Sequence, residues 1–560
     1  MMTLRSITDA SRATTLRMVV LRLITLIACT AMTLSLSACT SDEETDKQSS
    51  GTESSSNQTV GSVAVFTPSD GVTISGNTPL NKWTKFVPEL TDALRNEGFI
   101  KKNITTSSAD SLDKQSRDIQ DYVVNHVSAA NASSTNDTSA NNADDVTLIV
   151  APVTSADDTT RQYGDYVSTT ITTATSDTSN SDTSSDDTTS DKRQALERLT
   201  SALMLAQENG MHVIMLANTI EGFQPNAYVR MSTAEMIGTI QALKLVNKLA
   251  LDTVSKDNPK NIEVLVPYTP RTSAGSGVGA VLGLPSADNN ESTEPTEEGA
   301  KFAQEAFAGA WSVLQPYFKS GKAVSSSGLL TADTTADDWR NVAFACTKQE
   351  DAGAVLRKRL DMTSRDDTHT RIDGIIAMND YTAAGVVTEL TDLGYTGSAA
   401  DINPSITISG IVENITGKKD LQRNKVPDPI KAPETDTDTS KEDTTDNSDV
   451  DSTVEQTNAR WPIVTGYGAY VDVMPQIVAG QQWMTATEDR NSLAKDTAQA
   501  CRLLNTGTAL TSSTLSALSS SKVNGKDTPA ISEDLLAVSA YNLKAALIDP
   551  GYITLAEAGL

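Results

Sequence analysis

The stretch IDGIIAMNDYTAAGVVTELTDLGY, residues 372–395, decides the fold. Residues 372–378 form a short, nearly continuous apolar run rich in isoleucine, the pattern of a strand buried on both faces. A helical stretch follows at 382–393. Between them stands Asn379-Asp380. This pair can cap the helix that begins at Tyr381. It also lies at the carboxyl end of a strand, where open α/β sheets hold their ligands. The two roles are compatible, so both residues are candidate ligand contacts.

The same alternation extends in both directions from this stretch. GSVAVF (61–66), TLIVAPV (147–153), HVIMLA (212–217), IEVLVPY (262–268), AVSSSG (323–328) and ITISGIV (406–412) read as further strands. Helices are expected at 82–96, with Gly98 behind it, at 192–207, 233–251, 300–320 and 349–360. Strands separated by helices of 10–20 residues predict parallel sheets with crossover helices. There are too many units for one small sheet, so the expected fold class is α/β, with two doubly wound parallel-sheet lobes. The glycines of RTSAGSGVGAVLG (271–283) have no strand-to-helix G-x-G-x-x-G register and read as a flexible connection, not a nucleotide loop.

The chain has 560 residues and a formal net charge of −27. Two thirds of that charge sits in three tracts rich in Ser, Thr, Asp and Asn: 41–59, 155–192 and 427–457. These tracts have few large apolar residues, so the reading is a disordered tether at 39–59 and disordered inserts at about 155–192 and 427–457. The acidic balance argues against a nucleic-acid partner. Three histidines without paired spacing argue against structural zinc or a His-dependent triad, and no cofactor is expected.

The chain begins with Arg5, Arg12, Arg17 and Arg22, then an apolar run, then Leu36-Ser37-Ala38-Cys39. Residues 1–38 therefore read as a secretory signal peptide. The end of this leader resembles the lipobox of bacterial lipoproteins, which implies lipidation of Cys39 and a membrane-anchored, extracytoplasmic chain. Of the other cysteines, Cys29 leaves with the leader, and Cys346 and Cys501 remain.

Strand ends select the remaining candidates. Asp70, Lys82 and Trp83 follow the first strand, Asn218 follows HVIMLA, and Tyr467 follows PIVTG (462–466). An aromatic face with amide and carboxylate side chains suits a polyhydroxylated small molecule. Against that, a tryptophan at a helix start is commonly a packing residue.

From about residue 60 onward the chain resembles the exported sugar-binding proteins of ABC importers, in the xylose and multiple-sugar branch of the periplasmic-binding-protein-like type I fold. KWTKFVPELTDALRNEGF (82–99), GAWSVLQPYFKSGK (309–322), residues 372–395, VAGQQWMTATEDRNSLAKDTA (478–498) and NGKDTPA (524–530) carry the likeness. It implies an N-terminal lobe of 60–227 plus 487–560, a C-terminal lobe of 228–486 and a three-segment hinge between them. With Cys346 and Cys501 then in different lobes, both are expected as free thiols.

The resemblance further implies contacts at Lys82-Trp83, Asn218, Asn379-Asp380, Tyr467 and Asp489. The family's usual residues differ at several of these places. Its Arg-Trp is Lys82-Trp83 here, its later Arg is Asn218, and its Asp-Asn is Thr233-Ala234. Its Gln-Asp is Tyr467-Gly468 and its Lys-Asp is Glu488-Asp489. Each unpaired hydroxyl left by such a change would cost about 1–3 kcal/mol, so the usual pentose in its usual pose is not expected. The implied function is capture by lobe closure and delivery to a membrane permease, by a monomer and without catalysis. The alternative is a ligand-sensing or non-binding surface lipoprotein of the same fold.

Overall fold

The computed structural model describes residues 60–70, 79–133, 145–154, 158–172, 186–271, 294–365, 367–400 and 454–560. The chain first lays down β1 (Ser62–Pro68), α1 (Trp83–Asn96), β2 (Ile104–Ala109), α2 (Leu112–Ser133), β3 (Val146–Val150), β4 (Thr170–Ile171), α3 (Asp186–Glu208), β5 (His212–Leu216), β6 (Thr219–Ile220) and β7 (Ala227–Val229). It then crosses to a second region. This holds α4 (Ala234–Lys248), β8 (Lys260–Val264), β9 (Val266–Tyr268), α5 (Glu297–Lys319), β10 (Ala323–Val324), β11 (Ala343–Ala345), α6 (Gln349–Arg359), β12 (Gly374–Ile376), α7 (Asp380–Asp392), β13 (Ile463–Thr465), α8 (Met474–Ala479) and β14 (Met484–Thr487). It returns to the first region for α9 (Arg490–Asn505), β15 (Leu518–Val523) and β16 (Lys526–Ile531), and crosses again to β17 (Leu536–Ser539).

Seven of the described strands form one sheet in the order β15-β16-β7-β5-β3-β1-β2, and six form another in the order β10-β8-β12-β13-β14-β17. Pairing is parallel except at the edge pairs β15–β16 and β14–β17. Each sheet is therefore wound outward in both directions from an early strand, β1 in the first and β8 in the second.

Burial explains why these strands lack polar alternation. In β1 every residue from Val63 to Thr67 is buried. Val63 and Val65 face one side with Ile149 and Ile214, under α1 and α9. Ala64 and Phe66 face the other with Leu148 and Val213, under α2 and α3. A side-chain period of two with helices on both faces requires apolar residues at successive positions. The second sheet repeats the arrangement. Ile262, Val264 and Ile376 face α4 and α5, and Ile375, Ala377 and Val464 face α6 and α7.

Three connections cross between the sheets among the described residues: 230–233, 488–489 and 532–535. The third corrects the reading of the chain after residue 487 as wholly N-terminal lobe. β17 pairs antiparallel with β14 along Met484–Thr487, and Leu543, Leu547 and Tyr552 pack with Met474 and Ile477.

Other expectations are corrected locally. IEVLVPY is two strands: β8 lies in the large sheet, while β9 pairs with β11. The run splits at Leu265, whose N–H bonds Ile376 O whereas that of Val266 bonds Val342 O. AVSSSG is a strand only at Ala323–Val324. Ser325 and Ser327 instead donate their hydroxyls to the buried Glu263 carboxylate, at 2.7 and 3.0 Å. Most consequentially, the tract at 155–192 is not featureless, because residues 158–172 are ordered and contain the fully buried Tyr163 and Tyr166. ITISGIV and most of the 427–457 insert lie outside the described residues.

The deciding stretch folds as read, with a shorter strand and a helix that starts earlier, at Asp380. β12 is followed by Asn379, whose side chain accepts the Thr382 N–H at 2.8 Å and caps α7. At the other end Gly394, with φ +86°, takes the left-handed turn that lets Tyr395 N–H return to Leu390 O. Cys346 and Cys501 are buried thiols in separate cores.

Candidate functional site

Two strands that lead toward the junction of the sheets end in the same way. β5 is followed by Ala217 with φ 55°, then Asn218; β12 is followed shortly by Met378 with φ 62°, then Asn379. A left-handed non-glycine residue costs on the order of 1 kcal/mol and tends to mark functional backbone. Here it turns each asparagine back toward its own strand, so that Asn218 N–H bonds Leu216 O and Asn379 N–H bonds Ala377 O.

Both asparagines meet the ordered segment 160–172. Asn218 Oδ1 accepts Thr169 N–H at 3.1 Å, and Asn379 Nδ2 donates to Gln162 Oε1 at 3.1 Å. Lys82 Nζ lies 3.0 Å from Asp165 Oδ1. Burial lifts the Asp165 carboxyl to about 6, against the lowering effect of Lys82. Asn81, wholly buried, donates to Tyr163 O at 2.7 Å and to the Tyr467 hydroxyl at 3.3 Å. The Tyr163 ring packs on Phe302 of α5, centroids 4.4 Å apart, with Tyr467 at 6.1 Å.

Lys82, Asn218, Asn379 and Tyr467, from four separate loops, thus each touch the segment 160–172. Trp83 is not an open stacking face. It is 2% exposed and sits edge-on to Tyr166, centroids 5.0 Å apart, and to Phe86. Asp380 is one step removed. Its carboxylate accepts Gln482 Nε2 at 2.6 Å, Thr485 Oγ1 at 2.7 Å and Tyr470 N–H at 3.0 Å, and burial pushes its pKa up to about 6. It therefore shapes the 467–470 loop that presents Tyr467 and Tyr470. Asp489 lies apart: it caps α9 through Ser492 N–H at 3.1 Å and accepts the Tyr552 hydroxyl. Thr233 likewise caps α4 through Met236 N–H, and Asp70 caps the start of α1 through Thr84 N–H.

Sequence reasoning missed the hinge chemistry. Ser232 and Glu488 come from two different crossovers, and the Ser232 hydroxyl donates to Glu488 Oε1 at 2.6 Å. The Tyr467 hydroxyl donates to the same oxygen and lies 3.0 Å from Ser232 Oγ. Burial raises the Glu488 pKa, opposed by these two hydroxyls. It also missed Gln162, Tyr163, Asp165 and Tyr166. The signal was QYGDYV (162–167), an aromatic pair inside a tract otherwise poor in large apolar residues. Among the described residues, no cluster of three or more His, Cys, Asp and Glu side chains could hold a metal ion.

The site therefore consists of amide, hydroxyl and carboxylate groups and the Lys82 ammonium, at the meeting of two sheets. The chain is 25% identical over 364 residues to the multiple sugar-binding periplasmic protein SbpA of Azospirillum brasilense, covering 64% of this chain and 71% of that one. By that likeness the chain resembles a periplasmic sugar-binding protein. No family model matches it. Similar solved structures include an ABC transporter solute-binding protein from Clostridium phytofermentans with bound β-D-glucose, at 18% identity over 89% of this chain and 99% of that chain, TM-score 0.44. Another is a carbohydrate transporter solute-binding protein from Chloroflexus aurantiacus in complex with D-glucose, at 18% identity over 88% of this chain and 97% of that chain, TM-score 0.42.

Proposed function

We propose that this protein captures a sugar between its two lobes and hands it to an ABC permease, held outside the cytoplasmic membrane by a lipid on Cys39. The likeness to the Azospirillum protein supports the ligand class. One arrangement supports the mechanism: Lys82 and Asn218 of the first lobe, and Asn379 and Tyr467 of the second, each touch the segment 160–172. A molecule bonded to both sets favours the closed arrangement by its differential affinity for it. Neutral amides and hydroxyls suit sugar hydroxyls, each of which both donates and accepts. Cys39 lies outside the described residues.

Thermal unfolding with a panel of mono- and oligosaccharides tests capture. A sugar at a hundredfold excess over its Kd adds about 2.7 kcal/mol of stability. Failure of every sugar in the panel to raise the melting temperature would overturn the reading. Mass spectrometry of the membrane fraction tests the anchor, which predicts a diacylglyceryl adduct on Cys39.

A further inference from the structure

We infer that residues 160–172 form a built-in strap whose tip, Gln162 and Tyr163, occupies the inter-lobe site in the absence of sugar and must move out for sugar to enter. The inference rests on the sugar-capture reading for what displaces the strap, but not for the strap's grip on the two lobes.

The strap has a base and a tip. Its base belongs to the first lobe. Asp165 pairs with Lys82, Tyr166 is buried against Trp83 and Phe86, Thr169 N–H bonds Asn218, and β4 pairs with β6. Its tip reaches the second lobe. Gln162 Oε1 accepts Asn379 Nδ2, Gln162 O accepts the Tyr470 hydroxyl at 2.7 Å, and the Tyr163 ring lies on Phe302. Gly164, with φ +89°, makes the bend between tip and base. A Cβ there would stand 2.0 Å from Asn81 Oδ1, so only glycine lets the strap lie this deep.

The tip's chemistry imitates a ligand's. Asn379 Nδ2, the Tyr470 hydroxyl and Asn81 Nδ2 are donors aimed into the junction, and each is met by an oxygen of Gln162 or Tyr163. Those are the contacts a sugar's oxygens would take, and the Phe302 ring is the surface on which an apolar ring face would lie. A sugar and the strap tip cannot hold the same donors at once. Binding is therefore a displacement, and apparent affinity is reduced by the fraction of molecules whose strap is in place.

The test requires no known ligand at the outset. Small-angle scattering of the sugar-free protein should give a larger radius of gyration for the double variant Gln162→Ala/Tyr163→Ala than for wild type, because the base remains docked while Asn379 and Phe302 of the second lobe lose their side-chain partners, leaving only the Gln162 main-chain carbonyl on Tyr470. Equal radii would overturn the inference. Hydrogen exchange on the wild type covers the case of a variant that fails to fold. The tip amides of Tyr163 and Gly164, bonded to Thr160 O and Arg161 O, should exchange together through one local opening, at least about a hundredfold faster than β3 amides. Protection equal to that of β3 would refute a removable strap. With D-glucose and D-xylose as probes, the double variant should bind whichever is a ligand on the order of tenfold more tightly than wild type. A variant that opens yet binds neither probe supports the strap and counts against the sugar reading instead.

Discussion

Replacing Gly238 by alanine tests how the second lobe is built, because sequence and structure predict opposite signs. Gly238 lies within α4, and in an isolated helix alanine would be better than glycine by about 1 kcal/mol. In the folded protein α4 crosses α5 with backbone nearly on backbone. A Cβ at Gly238 would stand 1.9 Å from Ala306 O and 2.8 Å from Ala310 N, and one at Gly309 would stand 2.1 Å from Glu235 O. Carbon and oxygen settle at about 3.3 Å, so the helices must separate by more than about 1 Å. Neither side can yield by rotating a side chain, since the obstructing atoms are main chain. Overpacking of this kind costs about 1–3 kcal/mol, and the separation also loosens Ile237, Phe307 and Leu314, all fully buried in the same core. Against the propensity gain, Gly238→Ala should destabilise the protein by about 2 kcal/mol. Urea unfolding should show a lower midpoint at unchanged slope. Because Gly238 and Gly309 lie in one contact, the double alanine variant should cost less than the sum of the singles. A Gly238→Ala protein as stable as wild type, or more so, would refute the close crossing of α4 and α5.

Three further outcomes are expected. Burial lifts the Asp380 carboxyl from 3.8 to about 6, so this group's contribution to stability is fully present below about pH 4 and is lost as pH rises through 6; the loss is about 3 kcal/mol. Urea midpoints from pH 4 to 8 should show that fall in wild type and a shallower one in Asp380→Asn, after allowance for Asp165, which shifts in the same sense. Tyr467→Phe removes the hydroxyl that Glu488 shares with Ser232, and should cost about 1–3 kcal/mol in the same assay; an unchanged midpoint would mean that this hinge cluster does not hold the lobes. Burial pushes the Cys346 thiol up to about 12 and raises that of Cys501 as well, so both should alkylate on the order of a thousandfold more slowly than a free thiol until denaturant is added; rapid labelling of either in native protein, read by peptide mass spectrometry, would contradict the core.

The strands and helices were legible because each is specified by its own residues. Runs such as VAVF at 63–66 are buried on two faces and must be apolar throughout, and Asn379 announces a helix start by its type and place. Strand boundaries were less legible. IEVLVPY is uniformly apolar, and nothing in it tells that Leu265 and Val266 bond different neighbours. The candidate site was legible as loops at strand ends. Its internal economy was not: Trp83 belongs to a core built partly by Tyr166, a residue that lies in a tract read as disordered from its composition.

By itself the sequence determined the α/β class, the two-lobe plan and the polar residues at the strand ends, because periodicity and capping are local properties that each segment carries with it. Only the tertiary structure decided what those residues touch. Tyr163 is 304 positions from Tyr467, and Ser232 is 256 from Glu488. The free energy that brings such partners together comes from burying both sheets at once, and no single segment of the chain records it.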